Sequence, residues 1–154
     1  MYKPAFLIFA VLAALSQPSH AHSVRQWTVY FVNNTPILDD DGTAAVAAAT
    51  EYYNLACPGK PVTLISGTDT VGSHEQNAQR SQAYGEAVMK ELIKDGVAAS
   101  VIRVQANGES HLQVPTDDDV AEILNRRVEI YLGDDPGGIN CGDSYGPPIS
   151  PGVN

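Results

Sequence analysis

Hydrophobic residues fall along the chain in short blocks of differing period. Ala5 to Leu15 is an unbroken apolar run of 11 residues. Trp27 to Val32 ("WTVYFV") is aromatic and β-branched and predicts a strand. Thr43 to Leu55 carries Val46, Ala49 and Tyr53 at helical spacing and predicts a helix. Val62 to Ile65 predicts a second, short strand. A long helix follows over about Asn77 to Asp95, its apolar stripe formed by Gly85, Val88 and Leu92 with Met89 and Ile93 beside them. "ASVIRVQA" (99–106) alternates as a third strand, and Thr116-Asp117 is placed to cap a short helix running through Leu124. In Arg127 to Leu132, Val128, Ile130 and Leu132 share one face while Arg127, Glu129 and Tyr131 share the other.

Turn chemistry separates these blocks. "NNTPILDDDG" holds Asn, Pro, Asp and Gly. "CPGKP" ends the first helix, because Pro cannot continue it. Gly96 is positioned to end the second. Strand–helix–strand units favour parallel pairing with helices on a sheet face. The fold class predicted is a small α/β sandwich, a mixed sheet of about four strands with the helices packed on one face.

Both ends read differently from this middle. Lys3 precedes the apolar run, and Ser19-His20-Ala21 follows it with small residues where a signal peptidase cuts. Residues 1–21 therefore predict a secretory signal peptide, too short to span a bilayer; the alternative is a buried N-terminal helix. With no Cys just after the run, a bacterial lipid anchor is not expected, and the exported chain would begin near His22. Residues 133–154 hold six Gly and four Pro among 22 and predict an irregular tail. The domain proper is then 22–132.

Charge and cysteine content narrow the function. Without Lys3 the chain has 8 basic and 18 acidic residues, a net charge of −10. Nucleic acid and anionic membrane surfaces are poor partners for such a chain. Cys57 and Cys141 are the only cysteines, and in an exported protein they predict one disulfide, the alternative being two unpaired thiols. Two cysteines without paired histidine spacing do not predict zinc. "DDDG" (39–42) lacks the alternation of a calcium loop and suits the acidic start of a helix. No nucleophile elbow surrounds Ser73, Ser81, His74 or His111, so no enzyme, metal or cofactor is expected; His74 reads as an exposed loop residue.

The polar density of "SGTDTVGSHEQNAQRSQAYGEAV" (66–88) is the strongest candidate chemistry. Asp69 lies just past a strand end, Gly72 permits a tight turn, and Asn77 and Ser81 sit at a helix start. Amides gathered at such a junction suit a carboxylate, and the Asp suits an ammonium. The bland alternative is that Asp69 only caps the loop.

Ser66-Gly67-Thr68-Asp69, Gly72, Asn77, Ser81, the Gly108-Glu109-Ser110 turn and Asn125-Arg126-Arg127-Val128-Glu129 occur in the order and spacing of one known pattern. In one-letter form it reads G-H-T-D-x-x-G, then N, then L-S-x-x-R-A, and finally N-R-R-V-E. From about Trp27 to Leu132 the chain resembles the OmpA-like C-terminal domain of bacterial envelope proteins. The resemblance implies non-covalent binding of peptidoglycan through the diaminopimelate side chain of the stem peptide. It implies that Asp69 takes the ammonium and that the Arg of L-S-x-x-R-A takes the carboxylate. It implies a periplasmic location, in association with the outer membrane or cell wall.

Two departures from that pattern bear on the ligand: Gly67 replaces the His, and Tyr84 replaces the Arg. Tyr donates one hydrogen bond and carries no charge. Arg80, one turn earlier on the same helix face, is a candidate replacement, although helical side chains lean toward the N-terminus. Arg126 is a further candidate, while Arg127 reads better as an ion pair with Glu129. The site residues expected are thus Asp69, Asn77, Arg80, Tyr84 and Arg126. The second reading keeps the fold and gives up the wall for an envelope protein partner; a homodimer suits either.

Overall fold

A computed structural model describes residues 26–133 and Cys141. The predicted signal peptide and all of the predicted tail except Gly133 and Cys141 lie outside these residues. Four strands and two long helices alternate as β1 (Trp27–Tyr30), α1 (Asp40–Ala56), β2 (Val62–Gly67), α2 (His74–Lys94), β3 (Ile102–Ala106) and β4 (Arg127–Leu132). The sheet order is β1-β4-β2-β3. β2 and β3 run parallel, as a strand–helix–strand unit requires, and β4 enters between β1 and β2 antiparallel to both.

One sheet face carries the core. Val29, Val62, Leu64, Ile102, Val128, Ile130 and Leu132 meet Val46, Ala49 and Tyr53 of α1 and Tyr84, Val88 and Leu92 of α2. Val128, Ile130 and Leu132 are buried together, as their alternation predicts. The expected α2 stripe of Gly85, Val88 and Leu92 is buried, and it extends further toward the N-terminus. It runs Asn77, Ser81, Tyr84, Gly85, Val88 and Leu92, while Ile93 is exposed. Helical spacing thus continues into polar residues at the N-terminal end, which is where the site lies.

Several element boundaries move: β1 ends at Tyr30 and β2 runs on to Gly67, and three starts shift. α1 begins at Asp40, because Asp39 accepts from the Gly42 amide at 2.8 Å and caps it. α2 begins at His74, capped by a reciprocal pair in which Ser73 Oγ accepts from the Gln76 amide and Gln76 Oε1 accepts from the Ser73 amide; His74 is thus a helical residue. Residues 99–101 form a 3₁₀ turn ahead of β3. At the other end of α2, Val97 N bonds Leu92 O and Gly96 N bonds Ile93 O, the double bond pattern of a glycine-terminated helix.

The short helix expected at 116–124 does not form, apart from a 3₁₀ turn at Ile123–Asn125. Asp119 has φ of 61°, which no right-handed helix accommodates. Thr70 holds the segment instead: its hydroxyl donates to Asp117 O at 2.7 Å and accepts from Val120 N at 3.0 Å.

Cys57 and Cys141 form the predicted disulfide, with Cα atoms 4.8 Å apart and a sequence separation of 84. It ties the end of α1 to the segment beyond β4.

Candidate functional site

The site grows from the C-terminal end of β2. Beyond Gly67 the chain enters a loop whose Thr68 amide bonds Gly108 O at 2.8 Å, while Asn107 N returns to Ser66 O at 2.9 Å. Gly108 has φ of +55°, and a Cβ there would stand 3.3 Å from the Ala78 amide nitrogen. The β3 loop lies against the first turns of α2 for that reason, with Ser81 Oγ accepting from the Gly108 amide at 3.0 Å. Gly72 has φ of +96°, and a Cβ would meet the capping Gln76 Oε1 at 2.8 Å. These two glycines fix the loop around Asp69.

Asp69 is 0% exposed and Arg126 is 8% exposed. Arg126 Nη1 donates to Asp69 Oδ2 at 2.6 Å, a buried charge-assisted pair. Two more Arg126 donors are used on backbone: Nε to Phe31 O at 2.8 Å and Nη2 to Val32 O at 2.9 Å. The remaining contacts of Asp69 are long. Val71 N reaches Oδ1, and Glu122 N reaches Oδ2, both at 3.4 Å. A carboxylate has about four acceptor positions; Oδ1 therefore retains acceptor capacity. Thr68 Oγ1, buried beside it in sequence, has no hydrogen-bond partner among the described residues.

Arg80 takes a different place. Its Nη1 donates to Val71 O at 3.1 Å and to Asn77 Oδ1 at 2.6 Å. Both acceptors are neutral, and Arg80 has no carboxylate partner among the described residues. Asn77 is fully buried and is held from its other end, Nδ2 donating to Glu109 Oε2. Glu109 also pairs with the exposed His74. Val71 thus joins the two halves, its N–H facing Asp69 and its C=O accepting from Arg80.

Tyr84 lies inside. Its ring is fully buried and stacked on Phe31, centroids 4.1 Å apart and planes 4° from parallel. Its hydroxyl donates to Asn34 Oδ1 at 3.3 Å. Burial pushes the phenol up to about 12, with Arg80 and Arg126 pulling it down and Asp69 adding to the rise. Of the five residues expected from sequence, Asp69 pairs with Arg126 and Asn77 with Arg80, and Tyr84 joins the first pair through Phe31, whose carbonyl accepts from Arg126 Nε. Arg127 stands apart: it pairs with Glu129 at 2.7 Å on the other sheet face, as expected.

Sequence reasoning missed the residues that seal this cluster: Phe31 and Asn34 against Tyr84, Val71 between Asp69 and Arg80, and Thr70 and Glu122 over the loop. Glu109 was visible within the Gly-Glu-Ser turn, but its grip on Asn77 was not. Among the described residues no three His, Cys, Asp or Glu side chains converge as a metal site would need.

A mixed sheet with two helices on one face and a buried charged cluster at a strand–helix junction defines a small α/β domain of the OmpA-like class. The chain belongs to the OmpA family, whose model matches residues 30–126. It is 37% identical over 105 residues to the probable lipoprotein YiaD of Escherichia coli, covering 65% of this chain and 48% of that protein. It is 47% identical over 71 residues to an outer membrane protein of Gluconacetobacter diazotrophicus, covering 42% and 19%. The chain thus spans about half the length, or less, of the curated relatives it matches. Among solved structures, the C-terminal domain of Helicobacter pylori MotB superposes with a TM-score of 0.62 at 20% identity, covering 71% of this chain and 86% of that one. The peptidoglycan-associated lipoprotein of Burkholderia pseudomallei gives 0.61 at 23%, covering 68% and 87%. At these identities the superpositions speak for the fold.

Proposed function

We propose that this is an exported, non-catalytic domain that binds peptidoglycan non-covalently in the cell envelope, through the diaminopimelate of the stem peptide. The observation that carries the reading is that Asp69 Oδ1 and the Arg80 guanidinium both meet Val71, the first at its N–H and the second at its C=O. Asp69 Oδ1 has a single long donor, and Arg80 has no carboxylate among the described residues. The free end of diaminopimelate offers one ammonium and one carboxylate, which those two groups complement. Arg126 then holds Asp69 in place, Asn77 holds Arg80, and Tyr84 forms the floor. Because Asp69 is buried, the loop around it must open for the ligand to reach it. The name of the Burkholderia relative fits this reading.

A second reading has its own observation. Tyr84 fills the place of the family Arg with a ring stacked on Phe31, and Arg126 already neutralises Asp69. A domain so sealed would serve as a protein-interaction module.

Sedimentation with isolated diaminopimelate-type sacculi separates the two. The chain lacking residues 1–21 is expected to co-sediment, and free diaminopimelate, but not lysine, is expected to release it. Arg80→Ala, which leaves the buried pair intact, is expected to weaken retention about tenfold or more, the scale of a lost charge-assisted contact. Retention unchanged in Arg80→Ala would remove Arg80 from the site. No retention of the parent protein at low salt would leave the second reading standing.

A further inference from the structure

The sheet has two edges, and they differ in chemistry. Among the described residues β1 pairs only with β4. The Phe31 amide bonds Arg126 O, toward β4. Antiparallel pairing alternates, so Trp27, Val29 and Phe31 turn their peptide groups to β4, while Thr28 and Tyr30 turn theirs outward. Neither of these outward peptide groups has another backbone partner among the described residues. Exposed Arg103 and Gln105 flank the opposite edge, on β3, and such polar cover discourages pairing. β1 lacks that cover. Beside it lies a groove lined by Val32, Ile123 and Leu124, which are 51%, 39% and 40% exposed. The groove's other wall is acidic, carrying Asp39 and Asp41 from the start of α1. None of the residues lining it is basic.

We propose that the free edge of β1 accepts an extended, cationic and apolar segment of a partner protein as a fifth strand. The outward peptide groups of Thr28 and Tyr30 supply main-chain hydrogen bonds. Alternate side chains of the incoming strand divide between the apolar groove and the acidic wall. Charge selects the occupant. A second copy of this chain, at net charge −9, would set acidic wall against acidic wall. A segment bearing Lys or Arg meets opposite charge there. This surface is separate from the Asp69 cluster and does not depend on what that cluster binds.

The probe is a short acetylated peptide of alternating lysine and valine. Its controls are a glutamate–valine counterpart and a lysine–valine version N-methylated along one edge. Binding to the full, oxidised chain is read by fluorescence anisotropy, with hydrogen exchange of the Thr28 and Tyr30 amides followed by NMR. The lysine–valine peptide is expected to bind and to slow exchange at both amides. The glutamate–valine and N-methylated peptides are expected to bind about tenfold more weakly or worse. The same loss is expected of the Asp39→Asn/Asp41→Asn variant, because an asparagine side chain caps a helix as well as an aspartate does and α1 keeps its start. Thr28→Pro removes an outward N–H while sparing the ladder to β4, and is expected to lose binding with its circular dichroism unchanged. The proposal is overturned by equal binding of all three peptides, or by peptide binding without protection at Thr28 and Tyr30. Protection that grows with protein concentration in the absence of peptide would also overturn it, since the edge would then belong to a second copy.

Discussion

Arg126 is the residue whose removal has the most clearly defined cost. Its side chain makes three hydrogen bonds of 2.6 to 2.9 Å, one to Asp69 and two to the carbonyls of Phe31 and Val32. Arg126→Met leaves Asp69 fully buried with only two contacts, both at 3.4 Å. Breaking a buried pair from one side costs about 3–5 kcal/mol, because the remaining charge keeps its desolvation penalty. Replacing both partners removes that penalty. Asp69→Asn/Arg126→Met is therefore expected to be more stable than Arg126→Met alone, with a coupling energy of about 2 kcal/mol or more in a double-mutant cycle. Urea unfolding of the oxidised protein provides the assay. Trp27 is the only tryptophan, and it packs on Tyr52 of α1, so its emission reports separation of β1 from that helix. An Arg126→Met loss below about 1 kcal/mol would refute the reasoning, as would single-mutant effects that add within about 0.5 kcal/mol.

Tyr84 titrates at about 12 when folded and near 10.0 when unfolded. The folded state thus holds the proton more tightly, and this stability is fully present below pH 10 and lost as pH rises through about 12. The difference sets an upper value of about 2–3 kcal/mol, and Tyr84→Phe is expected to flatten that limb of an alkaline unfolding curve. Reduction of Cys57–Cys141 opens a loop with a sequence separation of 84 and is expected to cost about 4 kcal/mol by loop entropy, read as a lower urea midpoint in reductant. Gly108→Ala places a Cβ at positive φ, 3.3 Å from the backbone of α2, and is expected to cost about 1–3 kcal/mol in the same assay. A Gly108→Ala protein as stable as its parent would mean that the loop can back away from α2.

The periodic elements are legible because burial follows period. The alternation of Val128, Ile130 and Leu132 defines the inner face of β4, and the Val46–Ala49–Tyr53 spacing defines that of α1. The segment 116–122 misleads, because Thr116-Asp117 has the form of a helix cap, whereas the decisive bonds come from Thr70, more than forty residues away. Both helices start earlier than their apolar periodicity suggests, because Gly42 and the polar Ser73–Gln76 run have the composition of loop. Their capping bonds depend on backbone geometry that residue type only suggests. The members of the cluster are legible from their spacing, but its bonding is not. No local rule says that Arg126 crosses to Asp69 rather than to a nearer carboxylate, or that Tyr84 stacks on Phe31.

On the proposed function, position 84 links stability to binding. A tyrosine there buries its ring against Phe31 and satisfies its hydroxyl with Asn34, so position 84 needs no ligand to be satisfied. An arginine in the same volume would bury a guanidinium beside Arg126 and within reach of Arg80. Such a charge is tolerable only when a further carboxylate accompanies it. The family Arg is thus best matched to a ligand-filled site, and Tyr84 to an empty one. On the proposed function, the contact that Tyr84 does not offer falls to Arg80, whose guanidinium bonds only neutral oxygens among the described residues. On that reading Arg80 supplies the carboxylate contact from the start of α2, and Asp69, held by Arg126, keeps the ammonium.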